Sequence, residues 1–340
     1  MMLLSFLFAC DLLGPPDVSE ELGSAKAALQ QGDIAKAKGE YRKALTVDSK
    51  NIDALIGHSY ILLLEKEFSK ADSMLTEAQV AAKESEQNQI IKDVFFRRAL
   101  VALEEKSFDK VKVLGEKSEL PQGLLLVAEI QIIDGEYQEA ENNLNKVLQL
   151  GEPSLQKLAS SYMDDLSSDD RQMIAEAQAR WALGDRKIAV KVVKKPLLSY
   201  ISSVSKKSHD EAILWSSRAL AVGNISTAQE LINSVRRTSK DQGWRVNAVK
   251  TLITCASAGK SGVGIDSCVE ELSQLSGPED GLIDVHVTAA QFIHSKSSKA
   301  AKEILSGIEN DAAAYVYYQM GSTSEAESIG SNVLINLMNR

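Results

Sequence analysis

The sequence predicts an all-α fold, about nine helical hairpins laid side by side as one α-solenoid. Three observations predict it. The 340 residues are 44% hydrophobic but only 5% aromatic, with Ala, Leu, Ser, Glu and Lys prominent, a mixture that favours helix. A cadence of small and apolar residues returns at a spacing of 34 residues early in the chain. The six prolines, at 15, 16, 121, 153, 196 and 278, are too few for many short strands and read as punctuation between helices. A formal net charge of −9 argues against a nucleic-acid surface, which is ordinarily basic. No stretch approaches the ~18–20 apolar residues that span a bilayer.

The chain opens with "MMLLSFLFACDLLGPPD". Residues 1–9 are almost wholly apolar, Cys10 follows at once, and Gly14-Pro15-Pro16 would end any helix there. An apolar segment closed by a small residue has the shape of a secretory signal and its cleavage site. Leu7-Phe8-Ala9-Cys10 resembles the lipobox of bacterial lipoproteins, although the segment is short and lacks Lys and Arg. The resemblance implies that residues 1–9 are a removable signal peptide and that Cys10 becomes an acylated N-terminus. Residues 10–19 would then be a flexible tether, and 20–340 a solenoid in the periplasm or at the cell surface. Several acyl chains on one residue make attachment to a membrane, inner or outer, stable. The alternative is an unmodified Cys10 in a greasy N-terminal turn of a cytoplasmic protein.

The repeats begin with "LQQGDIAKAKGEYRKALTVDSKN" (29–51) and "LLLEKEFSKADSMLTEAQVAAKE" (62–84). Ala37, Tyr41 and Ala44 map onto Ala71, Leu75 and Ala78, each 34 residues on. The cadence returns in "IQIIDGEYQEAENNLNKVLQL" (130–150) and "ALAVGNISTAQELINSVRR" (219–237). Each unit reads as a helix, a short turn and a second helix with a small residue near its start. Gly32, Gly135, Gly184, Gly223 and Gly321 fall in the turn, where a positive φ suits glycine. The small residue of the second helix falls at Ala37, Ala71, Ala140, Ala189, Ala228, Ala300 and Ala326, and its partner on the first at Ala25, Ser59, Ala128, Ala177, Ser216 and Ala314. Small residues at both places let two helices approach closely.

These units resemble the tetratricopeptide (TPR) repeat. The match is strongest over 20–80, 122–150 and 172–193. It weakens over 90–118, where Val111 and Gly115 stand in place of the usual alanine and aromatic, and over 246–275. Spacings drift from 26 to 49 residues, and the 49-residue gap between Ala140 and Ala189 has room for an extra helix over 154–166. Pro196, followed by the Ser-rich stretch 199–210, marks a possible hinge near 196–208. The resemblance implies a right-handed solenoid whose first helices line a concave groove for a peptide or helix of another protein. Asp53, Tyr60, Phe96, Glu129, Gln178 and Trp181 are the candidate groove positions. For Phe96 and Trp181, packing between units is the equally open alternative. The TPR clamp that holds a chaperone's C-terminal carboxylate uses Lys and Asn; here Lys26 is followed by Ile56 and Tyr60, so that clamp is absent.

Cys255 and Cys268 fall on the first and second helices of one unit, Cys268 in the small-residue place. In an exported chain they read as a disulfide, and otherwise as two small buried hydrophobes. No catalytic pattern is evident. "ASAGKSGVG" (256–264) echoes a phosphate-binding loop, but Thr254 stands where the first glycine is needed and the preceding residues have helical spacing. His58, His209, His286 and His294 form no i, i+4 pair, and no metal site or cofactor is expected. Asp164, Asp165, Asp169 and Asp170, the one dense acidic group, read as a solvated loop leading into a helix N-terminus. Lys187, Lys191 and Lys194 share one helical face and read as a solvated surface. The sequence thus points to a non-catalytic scaffold that binds envelope proteins, with no nucleic acid and no small-molecule substrate. The rivals are a cytoplasmic TPR adaptor and a cell-wall enzyme needing paired carboxylates in the groove.

Overall fold

The computed structural model describes residues 17–201, 206–235 and 240–329. Residues 1–9 and Cys10, read above as a signal segment and its acylation site, most of the expected tether and part of the expected hinge therefore lie outside the described residues. Nineteen α-helices and no strand occur among those described. In chain order they are α1 (Ser19–Gln30), α2 (Ile34–Val47), α3 (Ile52–Leu64), α4 (Phe68–Glu84), α5 (Asn88–Glu104), α6 (Phe108–Ser118), α7 (Pro121–Asp134), α8 (Tyr137–Leu150), α9 (Pro153–Leu166) and α10 (Asp169–Ala182). There follow α11 (Arg186–Ile201), α12 (Lys206–Ala221), α13 (Ile225–Ser234), α14 (Lys240–Ser261), α15 (Ile265–Gln274), α16 (Glu279–Ile293), α17 (Ser298–Ile304), α18 (Asp311–Gln319) and α19 (Thr323–Ile329). They form nine hairpins among the described residues, and α9 is the extra helix expected in the long gap.

One turn geometry recurs. The chain leaves the first helix through a single left-handed residue, and two backbone bonds close the last turn. At Gly32 the Gly32 N–H donates to Leu29 O at 3.0 Å and the Asp33 N–H to Ala28 O at 2.8 Å, which is the Schellman pattern. Gly135, Gly184, Gly223 and Gly321 repeat it with positive φ. So do Lys66 (φ 61°) and Lys106 (φ 59°), where no glycine announces the turn. The next residue can cap the second helix: Asp33 accepts from Lys36 N and Asn224 from Thr227 N; at the α16–α17 turn, which has no left-handed residue, Ser297 accepts from Ala300 N.

This turn fixes where the helices touch. The seventh residue before the left-handed one is Ala25, Ser59, Ala99, Ala128, Ala177, Ser216, Cys255 or Ala314, and all are buried. The fourth residue of the second helix is Ala37, Ala71, Val111, Ala140, Ala189, Ala228, Cys268, Ala301 or Ala326, again all buried. Ala300 is thus off by one: it is half-buried, and Ala301 takes the contact position. Cys255 and Cys268 occupy the two small-residue places of the α14–α15 hairpin and are bonded as a disulfide, Cα atoms 4.9 Å apart. The glycine string 256–264 ends α14 and forms the turn into α15, with Gly262 and Gly264 at positive φ.

The chain divides into two compact units. The first comprises residues up to 128 together with 145–156. Its core runs through Tyr41, Ile61, Leu55, Leu75 and Val101. Burial of each such side chain contributes about 1.5–3 kcal/mol. Tyr41 lies over Gly57, whose missing side chain makes room for the ring. Gly115 and Gly123 bring α6 against α7: a Cβ on Gly115 would sit 2.9 Å from Gly123 O, so the absent aromatic has no space here. The second unit comprises 129–144 and residues from 157 onward. Its core includes Ile174, Val193, Leu197, Trp215, Leu231 and Ile293. Pro121 and Pro153 begin helices, as punctuation should, but Pro196 lies inside α11, which continues to Ile201.

Candidate functional site

The first helices of the second unit carry a partly buried cluster of polar and aromatic side chains. On α12, Glu211, Trp215 and Arg218 are spaced i, i+4, i+7 and so share a face. On α10, Arg171, Gln178 and Trp181, spaced i, i+7, i+10, also share a face, and α9 supplies Tyr162 and Asp165.

Arg171 is buried and carries two carboxylates. Its Nε donates to Asp165 Oδ1 at 2.8 Å, its Nη2 also reaches Asp165, and Nη2 donates to Glu211 Oε1 at 2.6 Å. Its guanidinium also lies over the Tyr200 ring, 4.6 Å from the centroid. Burial alone would lower the Arg171 pKa, but the bonds to Glu211 and Asp165 outweigh it and hold the cation. Gln178 Nε2 donates to the other oxygen of Asp165 at 2.9 Å. Asp165 is therefore no solvated loop residue: it is 1% exposed in the last turn of α9, and its charge is satisfied from α10. Nearby, Tyr162 Oη donates to Glu129 Oε1 at 3.0 Å. Burial pushes the Glu129 carboxyl up to about 7, against the opposing effect of the Tyr162 bond, and burial pushes the Tyr162 phenol well up.

Arg218 is different. Its guanidinium lies 4.5 Å from the Trp215 ring centroid and 5.0 Å from that of Trp181, and the two indoles meet edge to face at 6.0 Å. Arg186 lies over the outer part of the same site, 5.4 Å from the Trp181 centroid. No carboxylate among the described residues pairs with Arg218, its Nη1 has no hydrogen-bond partner, and neither does Trp215 Nε1. Burial lowers the Arg218 pKa. A half-buried guanidinium held by aromatic faces thus keeps a buried donor unsatisfied.

Of the six groove positions read from sequence, Glu129, Gln178 and Trp181 lie in this cluster. Glu129 and Gln178 are committed to Tyr162 and Asp165, whereas Trp181 presents a half-buried ring. Asp53, Tyr60 and Phe96 lie in the first unit, Asp53 3.7 Å from Lys26, Tyr60 44% exposed and Phe96 half-buried. Sequence reasoning missed Tyr162, Arg171, Glu211, Trp215 and Arg218. The i, i+4, i+7 spacing in "EAILWSSR" (211–218) was the available signal. Of the lysine face, Lys194 pairs with Glu230 at 2.8 Å, and Lys187 and Lys191 are exposed. His58 and His209 are buried, and among the described residues no group of His, Cys, Asp and Glu is placed to hold a metal. No described helix is long and apolar enough to cross a membrane.

No protein-family model matches the chain, and no curated protein matches it. Solved structures do. A tetratricopeptide repeat protein from Parabacteroides merdae aligns at 13% identity and a TM-score of 0.37, covering 80% of this chain and 98% of that one. The TPR2AB domain of yeast Sti1, in a structure described as a pHSP90 complex, aligns at 15% identity and 0.29, covering 95% and 98%. The apo quorum sensor NprR from B. thuringiensis aligns at 12% and 0.31, covering 94% and 87%. TM-scores this low carry no argument about binding; the hairpin architecture rests on the chain's own geometry.

Proposed function

We propose that this chain is a non-catalytic scaffold of the bacterial cell envelope, anchored to a membrane by acyl chains on Cys10. Its first-helix face at Trp181 and Arg218 receives a segment of a partner protein bearing a carboxylate or a free backbone carbonyl. The observation that carries the reading is Arg218: a half-buried cation between two indoles, with no carboxylate partner among the described residues and a buried Nη1 donor left unsatisfied. Burying a charge without a partner is costly, so a site that does so is primed for one from another molecule. The lipobox-like residues 7–10 and the Cys255–Cys268 disulfide support export, since disulfides persist in oxidising compartments.

The test has two readouts on protein from native membranes. The intact mass should lack residues 1–9 and carry acyl chains, and a Cys10→Ala variant should lose both changes and leave the membrane fraction. Partners that co-purify with the native chain should be lost from Arg218→Ala while its circular dichroism stays unchanged. An unprocessed, unacylated chain would leave a cytoplasmic adaptor. Partners indifferent to Arg218 would place the binding face elsewhere.

A further inference from the structure

The first unit holds a second polar site that the partner groove does not use. Between α2, α3 and α4 lies a pocket of about 320 Å³ lined by Lys38 and Arg42 from α2, His58 and Leu62 from α3, and Lys70 and Ser73 from α4, with Glu67 at its edge. His58 is 8% exposed, yet neither ring nitrogen has a hydrogen-bond partner. At the same place in three other hairpins the polar side chain is satisfied, Arg98 by Asp72 and Gln79, Glu176 by Arg180 and Thr254 by Glu271, whereas Trp215 Nε1, like His58, is not. In every tautomer the imidazole keeps one N–H, so His58 is a buried donor without an acceptor.

The charges around it are unbalanced. Lys38 is paired with Glu65 at 2.5 Å and Lys70 with Glu67, but the Arg42 guanidinium has no carboxylate partner among the described residues. Three cations thus stand against two carboxylates. The groups acting on His58 are Lys38 and Arg42, which oppose its protonation after burial has already done so, and Glu65 and Glu67, which favour it weakly. An anion in the pocket would satisfy the imidazole and Arg42 together.

The geometry points to a binding site for a phosphate group, held by Arg42, His58 and the ammonium groups of Lys38 and Lys70, with the Ser73 hydroxyl as a further donor. Donors converge from three helices, more than the two oxygens of a carboxylate can accept, whereas a phosphate offers oxygens in every direction. Phosphate binding should take up a proton at His58, because the doubly protonated ring gives two N–H donors and a charge to the anion.

The phosphate could belong to a lipid headgroup or be free, and the test separates these. The full chain carrying Cys10→Ser, so that no acyl chain contributes, is titrated at constant ionic strength with inorganic phosphate, with acetate, and with vesicles of phosphatidic acid in phosphatidylcholine. The His58 ring protons are followed by NMR. Phosphate should displace them saturably and raise the pH midpoint of the ring. His58→Leu and Arg42→Ala should each weaken binding by about tenfold or more. Arg42 is exposed, so its variant keeps the test decisive even if His58→Leu misfolds. A response to vesicles alone assigns a lipid headgroup, and one to inorganic phosphate a soluble source. No response to either, acetate acting as well as phosphate, or unchanged binding in both variants would overturn the site.

Discussion

At the scale of single residues, the hairpin turns show that conformation is imposed by packing rather than by local preference. Lys66 holds φ 61° because the Schellman bonds and the following helix require it, although L-residues lose about 1–2 kcal/mol in that region. Lys66→Gly should therefore stabilise the chain, by about 1 kcal/mol once glycine's greater freedom when unfolded is subtracted. The converse change, Gly135→Ala, should cost about as much, since φ there is 79°. Urea midpoints at constant m-value would check both. Glycine turns were legible in the sequence because glycine marks a positive φ; Lys66 and Lys106 carry no such mark. Glu129 gives a pH signature. Its folded pKa of about 7 lies above the ordinary carboxyl value of 4.5, so the folded state binds the proton more tightly. Stability should be full below about pH 4.5, fall as pH rises through 7, and level off above it, a loss of order 3 kcal/mol. Glu129→Gln keeps an acceptor for Tyr162 and should flatten this profile in denaturation curves measured from pH 4 to 8 (roughly the span of the two pKa values).

At the scale of elements, close approach is the organising constraint. Small residues seven before the left-handed residue and fourth in the second helix set the spacing, and the sequence cadence found most of them. It slipped at "SKAAKE" because two adjacent alanines fit the pattern equally and only the start of α17 at Ser298 selects Ala301. The interval 90–118 looked weak because Gly115 replaces an aromatic, and the structure gives the reason: α7 occupies that space. Gly115→Ala should destabilise by about 1–3 kcal/mol, as the new methyl meets the Gly123 carbonyl and Val127. The α14–α15 hairpin substitutes a covalent bond for alanine contacts. The double change Cys255→Ala and Cys268→Ala should still fold, with alanines where other hairpins have them. It should lose about 3 kcal/mol, the loop constraint of a short separation, measurable as a lower Cm that reductant no longer shifts. Asp165 was misread from sequence because a run of acids resembles solvent-facing charge; its partners, Arg171 and Gln178, lie on the next helix.

At the scale of the whole molecule, the fold was legible and the site largely was not. Periodicity and turn glycines report helices and their pairing, including α9 in the long gap. The site depends on side chains from α9, α10 and α12 meeting, and a repeat pattern tells only which helix face they share. Trp181 was visible as an aromatic on a first helix; Arg218 mattered only once its lack of a carboxylate partner among the described residues could be seen. That half-buried cation between two indoles is the basis for reading the second unit as a receiving surface, so the decisive measurement is made there. A photo-crosslinking residue is placed at Trp181 in the otherwise native chain and irradiated in intact membranes, with Arg218 present or changed to Ala. A discrete protein adduct that disappears with Arg218→Ala is the expected result. No adduct at 181, or one that persists without Arg218, would contradict the account.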